Sequence, residues 1–342
     1  LYSSAASDVY KRQAPAPAPA PHPVYELYSR KVPRFADTMG RTHDYHLKAI
    51  HGGRGRQEGQ FMLPNGVAVD GAGHVLVTDA IRCQVLVFDA SGKCLNTLGM
   101  EGALLESGLK FLNPSAIAAD KQGRIYVCDT KNCRIHVLTL DGTPVFQFGR
   151  PLVVIGIHEE KGVVGFNYPR GLALDEEEGL VYVADTGNNR LRVFNMEEGK
   201  PIQTFGGYGD RPGEFNTPIG LAIGSQGKLL VADSLNYRIQ VFERGFRLVE
   251  VFGRQGTAPG EFFHPPTGIA VSVNEEIVVC SDALNMHVMS ACGEFIGVIG
   301  GPRDGQMLPK YYSSAFSGPA DLFAVDEYGC QLHHFEYRER KT

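Results

Sequence analysis

The sequence has no tryptophan, which excludes repeats built on a recurrent Trp-Asp pair. Cysteine is sparse: seven in 342 residues, an odd and scattered set, whereas disulfide scaffolds are dense in evenly numbered cysteines. Reduced thiols in a cytosol-like compartment are therefore expected. No apolar run approaches the roughly 18–20 residues that cross a bilayer, so no membrane partner is expected. Positive charge is not in surplus either, since 33 Lys plus Arg against 38 Asp plus Glu leaves −5. That disfavours DNA and any broadly basic nucleic-acid surface, leaving a local basic patch open. The eleven histidines show no H-x-x-x-H spacing and the cysteines no C-x-x-C, so neither a metal nor another cofactor is expected. His333 and His334 are neighbours on one strand and point to opposite faces.

The two ends read differently from the middle. Residues 1–13, LYSSAASDVYKRQ, start with Leu1, lack an apolar signal core and resemble translated adapter read-through, so they are set aside as non-native. On that reading, an upstream catalytic or oligomerising domain can be missing with the true N-terminus. Residues 14–45 are expected to be a linker and irregular segment, because Ala14–Pro23 reads APAPAPAPHP, a polyproline spacer. Residues 338–342 are expected to be a short tail.

Between them the chain repeats itself. FMLPNGVAVD, FLNPSAIAAD, FNYPRGLALD, FNTPIGLAIG and FHPPTGIAVS begin at Phe61, Phe111, Phe166, Phe215 and Phe263, at spacings of 50, 55, 49 and 48 residues. Each precedes a second apolar run ending in Asp: Asp79, Asp129, Asp185, Asp233 and Asp282. The tail supplies a sixth, weaker copy with Ala315 and Asp326. Inside a unit, apolar residues alternate and Gly-rich turns punctuate, the signature of antiparallel strands. In the third unit these are GLALD, LVYVAD, LRVFN and PIQTFG, here called strands a to d. Four strands per unit describe a propeller blade. The recurrent Ala of strand a suits the crowding where blades converge on the axis. The sixth unit runs out after strand c, and HLKAI (His46–Ile50) with its following glycines matches a missing strand d. The fold class expected is all-β, a six-bladed β-propeller of four antiparallel strands per blade over residues 46–337. Its last blade closes 3+1, and the propeller itself is monomeric.

The string P-x-G-h-A, then h-Y-V-A-D-[TS], then N-x-R-[IL]-x-V-F resembles the NHL-repeat family, best in VYVADTGNNRLRVF and LLVADSLNYRIQVF. Arg134, Arg190 and Arg238 keep the pattern, whereas Gln84, His287 and Gln331 depart from it. The resemblance implies a propeller that forms the substrate- or RNA-binding end of larger proteins, tripartite-motif ubiquitin ligases among them. The Asp of D-[TS]-x-N-x-R recurs around the ring, so it is read as structural. The Asn is expected to take the tight turn at positive φ, and the Arg to bridge the carboxylate. Cys83, Cys133 and Cys330 share one repeat position, so they and Cys128 are read as filler rather than ligands.

Function is therefore sought on the loops. The a–b and c–d turns are short and Gly-rich, while the d–a and b–c connections share the other face and are longer. Asn65, Ser115, Arg170, Ile219 and Thr267 enter strand a after the Pro and are expected to rim the channel. Arg82, Lys131, Arg150 and Arg254 are expected to add a cationic ring there, with Tyr168 and Tyr237 as flat contact surfaces. The long Arg150–Tyr168 loop carries an apolar stretch, Leu152–Ile157. Across the d–a loops, ten cations oppose nine acids, close to neutral. A non-enzymatic module binding a protein or peptide partner on this face is the first reading. RNA on the same face is the second. A metal-dependent lactonase or lyase is the third, requiring His, Asp or Glu in a channel whose strand a offers mainly Ala, Val, Leu and Ile.

Overall fold

The computed structural model describes residues 45–99, 109–151, 165–281, 285–300 and 309–338. Residues 1–13, most of the 14–45 segment, Leu152–Ile157, Asp282 and residues 339–342 lie outside the described residues. Six four-stranded antiparallel sheets form. Blade 1 comprises Pro64–Val69, Val75–Asp79, Gln84–Phe88 and Cys94–Leu98; blade 2 comprises Pro114–Ala119, Arg124–Asp129, Arg134–Thr139 and Pro144–Phe148. Blade 3 comprises Gly171–Asp175, Leu180–Asp185, Arg190–Asn195 and Pro201–Phe205; blade 4 comprises Pro218–Ile223, Leu229–Asp233, Arg238–Phe242 and Leu248–Phe252. Blade 5 comprises Pro266–Val271, Ile277–Ser281, Asn285–Met289 and Phe295–Gly300. In blade 6, Tyr311–Ser317, Asp321–Asp326 and Gln331–Tyr337 are joined by Tyr45–Gly52 as the outermost strand.

The ring is closed. Strand a of every blade touches strand a of the next, the sixth against the first included. The apolar core is accordingly not inside any blade but between blades. Each of its six clusters draws on two neighbours, as where Ala173, Tyr182 and Val193 of blade 3 meet Leu221, Val231 and Phe242 of blade 4. At P-x-G in strand a, close packing leaves no room for a side chain: a Cβ on Gly171 or Gly220 would strike the carbonyl of Ile219 or Thr267 in the following blade.

The N-terminal strand behaves as strand d in detail. In every other blade the c–d ladder breaks where one extra residue is inserted on strand d, Leu95, Val145, Ile202, Val249 or Ile296, and Lys48 fills that place in blade 6. Such bulges twist an outer edge away from foreign strands. Lys48 also reaches Glu336 at 3.2 Å and Asp321 at 3.4 Å.

Each strand d exits through a positive-φ glycine beneath an aromatic ring: Gly52 under Phe61, Gly99 under Phe111, Gly149 under Phe166, Gly206 under Phe215 and Gly253 under Phe262. In the sixth case Gly300 lies under Tyr311. This corrects the repeat frame in blade 5, where the register also puts Ser281, not Asp282, at the place of the Asp and Asn285, not His287, at that of the Arg. The fifth anchor is Phe262, fully buried, while Phe263 is 46% exposed, because blade 5 has one residue more between the ring and its Pro. At all six glycines a Cβ would come within 2.8 Å of a ring carbon.

Two outcomes are expected. Gly206→Ala combines strain at φ +79° with a ring clash and should cost about 1–3 kcal/mol in urea unfolding. Deleting residues 1–52 uncovers the strand c edge of blade 6 and should drive the chain into aggregates by size-exclusion chromatography; an unchanged melting temperature in a non-aggregated product would exclude closure by this strand.

Candidate functional site

The repeated aspartates are sealed inside the blades. Asp79, Asp129, Asp185, Asp233 and Asp326 are 0–3% exposed. In blade 3, the Asp185 carboxylate accepts from the Asn167 N–H at 2.7 Å, from Asn188 Nδ2 at 2.8 Å and from Arg190 Nε at 2.7 Å. Asp233 repeats this with Asn216 N–H, Asn236 and Arg238 and adds Gln240 Nε2 at 3.0 Å. One carboxylate thus ties the d–a loop, strand b and the b–c turn together. The Asn, however, does not take positive φ. It lies in the 3-10 turn and donates to the Asp, while the following residue turns left-handed: Cys83, Cys133, Asn189, Tyr237 and Cys330. Cys occupies three of these five left-handed positions.

The Thr or Ser after the Asp has a role that spacing did not suggest. Thr130 donates to Pro169 O at 2.9 Å, Thr186 to Pro218 O at 2.7 Å and Ser234 to Pro266 O at 2.6 Å, each reaching into the next blade. These hydroxyls clip blade to blade where the inner strands begin.

The face residues distribute unevenly. Ser115 is 3% exposed and donates to Arg170 O at 3.0 Å. Thr267, at 6%, donates to Tyr312 O at 2.9 Å. Both hold blades together, and of the two only Thr267 also borders the open mouth of the channel. Arg82 is 7% exposed and its guanidinium donates to Gln60 O at 2.6 Å. Arg254 pairs with Glu261 at 2.6 Å. The expected cationic ring therefore does not assemble: one member turns inward to loop carbonyls and another is neutralised. Lys131 and Arg150 are exposed on the loops. Tyr237 is half-buried against the blade 4–blade 5 cluster, whereas Tyr168 is 53% exposed.

What the structure does bring together is a bowl of about 410 Å³ at the d–a/b–c mouth of the channel. Asn65, Arg170, Ile219 and Thr267 line it, joined by Asn113, Thr217, Leu235, Pro265, Lys310, Tyr312 and Glu327. Lys310 ion-pairs with Glu327 at 2.8 Å. Burial pushes the Tyr312 phenol up, and the adjacent Arg170 guanidinium partly offsets this. Beneath the bowl the channel narrows to a waist of about 80 Å³ among the strand a glycines. Among the described residues, no three His, Cys, Asp or Glu side chains gather in a way that could hold a metal ion, and no helix is long and apolar enough to cross a membrane. All seven cysteines are unpaired.

The family model described as NHL repeat matches residues 111–138, 166–194 and 215–242, the outer loop and first three strands of blades 2, 3 and 4. The chain carries NHL repeats. Human "NHL repeat-containing protein 2" is 35% identical over 102 residues, 26% of this chain and 14% of that protein. "Protein brain tumor" of Drosophila melanogaster is 30% identical over 98 residues, covering 28% and 10%. Human "E3 ubiquitin-protein ligase TRIM32" is 46% identical over 57 residues, covering 17% and 9%. The matches of this NHL propeller thus span only 9–14% of these relatives' own lengths. Among solved structures, a streptogramin B lyase superposes with TM-score 0.55 at 13% identity, covering 86% of this chain and 88% of that one. A gluconolactonase from Xanthomonas campestris does so with TM-score 0.60 at 17% identity, covering 82% and 87%. Those two likenesses concern the fold.

The repeat carboxylates differ in pKa. Burial pushes Asp129 up, but hydrogen bonds from His136, Asn132, the Leu112 N–H and Arg134 outweigh it and hold the group below the usual range. Asp326, with Gln331 in place of the Arg, stays raised by burial. A lowered folded pKa stabilises above the unfolded value and is lost as pH falls through the folded one. Asp129→Ala should therefore cost about 3–5 kcal/mol at pH 7 in urea unfolding, with the penalty shrinking in acid.

Proposed function

We propose that the NHL propeller is a non-enzymatic recognition module that binds a protein or peptide partner through the d–a/b–c face. One observation carries this reading. Among the described residues, strongly exposed large apolar side chains that are not on a strand d edge gather on that face: Ile81, Leu112, Tyr168, Tyr208, Leu235, Phe263 and Tyr328, against Val273 alone on the other. Exposed apolar side chains spaced around a polar depression give a partner both apolar contact and polar register. The ubiquitin-ligase names of relatives such as TRIM32 are in keeping with a substrate-selecting role in a larger protein. The unpaired thiols suit a reducing, cytosol-like compartment.

RNA on the same face is the second reading, favoured by the exposure of Tyr168 and Tyr208, 53% and 74%, as stacking surfaces. The lactonase or lyase reading rests on the propeller shape, and no cluster of three His, Cys, Asp or Glu among the described residues adds support to it.

Proteins retained by the immobilised full chain, quantified by mass spectrometry, discriminate the faces. Tyr168→Asp with Leu235→Asp should lose its specific partners at an unchanged melting temperature, and Val273→Asp should keep them; the reverse pattern would move the site to the opposite face. Filter binding of single-stranded RNA at two salt concentrations tests the second reading: submicromolar affinity with a steep salt slope would favour it.

A further inference from the structure

The mouth of the channel holds one positive charge in a fixed place. Arg170 enters strand a of blade 3 with its backbone locked on both sides: its N–H donates to Ala184 O at 3.2 Å, and its carbonyl accepts from Ala116 N–H at 3.2 Å and Ser115 Oγ at 3.0 Å. Its side chain is exposed into the bowl beside Tyr312. No carboxylate among the described residues lies within ion-pair distance of its guanidinium. The neighbouring cations are spent: Lys310 on Glu327, Arg254 on Glu261 and Arg82 on loop carbonyls.

The wall around this charge is mixed: Leu63, Ile219, Leu235 and Pro265 supply apolar surface between Asn, Thr and the Lys310–Glu327 pair. A guanidinium in partly dry surroundings is matched best by a planar carboxylate, which it grips through two parallel hydrogen bonds. A phosphodiester chain needs several cations in register, and the bowl holds one that is uncompensated. Among the strand a glycines the open space is only about 80 Å³, which favours a single side chain over a longer segment.

We propose that the bowl receives one Asp or Glu side chain of a peptide segment flanked by apolar residues, with Arg170 as the ion-pair partner of that carboxylate and Leu235 and Tyr168 holding the flanks. This rests on the reading of the d–a/b–c face as the docking surface and adds the chemistry of the occupant.

The test is a phage selection of random twelve-residue peptides on the full chain, followed by fluorescence-polarisation titration of the leading peptide. Enrichment of sequences centred on Asp or Glu between apolar residues is expected. Replacing that acid by its amide should weaken binding at least tenfold to the wild type and less than twofold to Arg170→Gln. The Arg170→Gln chain should melt as the wild type does, since only an exposed side chain changes. If Arg170→Gln binds the selected peptide undiminished while Tyr168→Asp with Leu235→Asp abolishes binding, the carboxylate proposal fails and the face remains. If both variants bind undiminished, or no peptide is enriched, the proposal and the face fall together.

Discussion

No blade of this protein can bury its own apolar surface. A four-stranded sheet has two faces, and each cluster of the core is shared by two adjacent sheets, so every blade depends on the one before and the one after. In an open stack the terminal sheets would expose an apolar face. Here circular closure removes that problem, and the short strand Tyr45–Gly52 makes closure covalently continuous with the first blade. Phe61 sits over Gly52 as Phe215 sits over Gly206, which shows the seam packed by the same contact as the other junctions.

Polar groups specify what apolar packing alone leaves loose. The buried Asp of strand b gathers donors from the d–a loop and the b–c turn, and the hydroxyl that follows reaches the next blade's Pro carbonyl. Removing one partner from such a set leaves a dry, uncompensated group, so its loss is felt far more than that of an exposed ion pair. Both devices point their loops toward one face. The loops there are consequently held from below, and their outward side chains are carried on a rigid base, the condition under which surface residues keep a defined recognition geometry.

Blade number, strand order and the closing strand were all legible in the sequence, because each blade is a local meander whose alternation and turns recur. What escaped was whatever depended on neighbours across the ring. The pattern F-x-x-P placed the fifth anchor at Phe263, whereas counting nine residues from the exit glycine, as from Gly206 to Phe215, leads to Phe262. Tyr311 replaces the Phe altogether, and with it the sixth blade lost its visible match. Lys310, Tyr312 and Glu327 belong to that blade, so a third of the bowl's nine polar lining residues was invisible there while Arg170 and Ile219 were already marked. Arg82 looked like a surface cation by spacing, but loop carbonyls at hydrogen-bond distance draw it inward. Turn chemistry misplaced the Asn for a similar reason: its amide is worth more as a donor to a buried carboxylate than as a left-handed residue.

The pairing of Tyr45 with Tyr337 has a topological consequence. Strand d of blade 6 starts where the other blades have a c–d turn, so both ends of the described ring emerge together, on the side away from the bowl. A linker the length of an ordinary c–d turn would join them, and any other hairpin of that side could then be cut to create new termini. The same circle can thus be read from six starting points, and a fusion partner hung at either end would leave the mouth unobstructed.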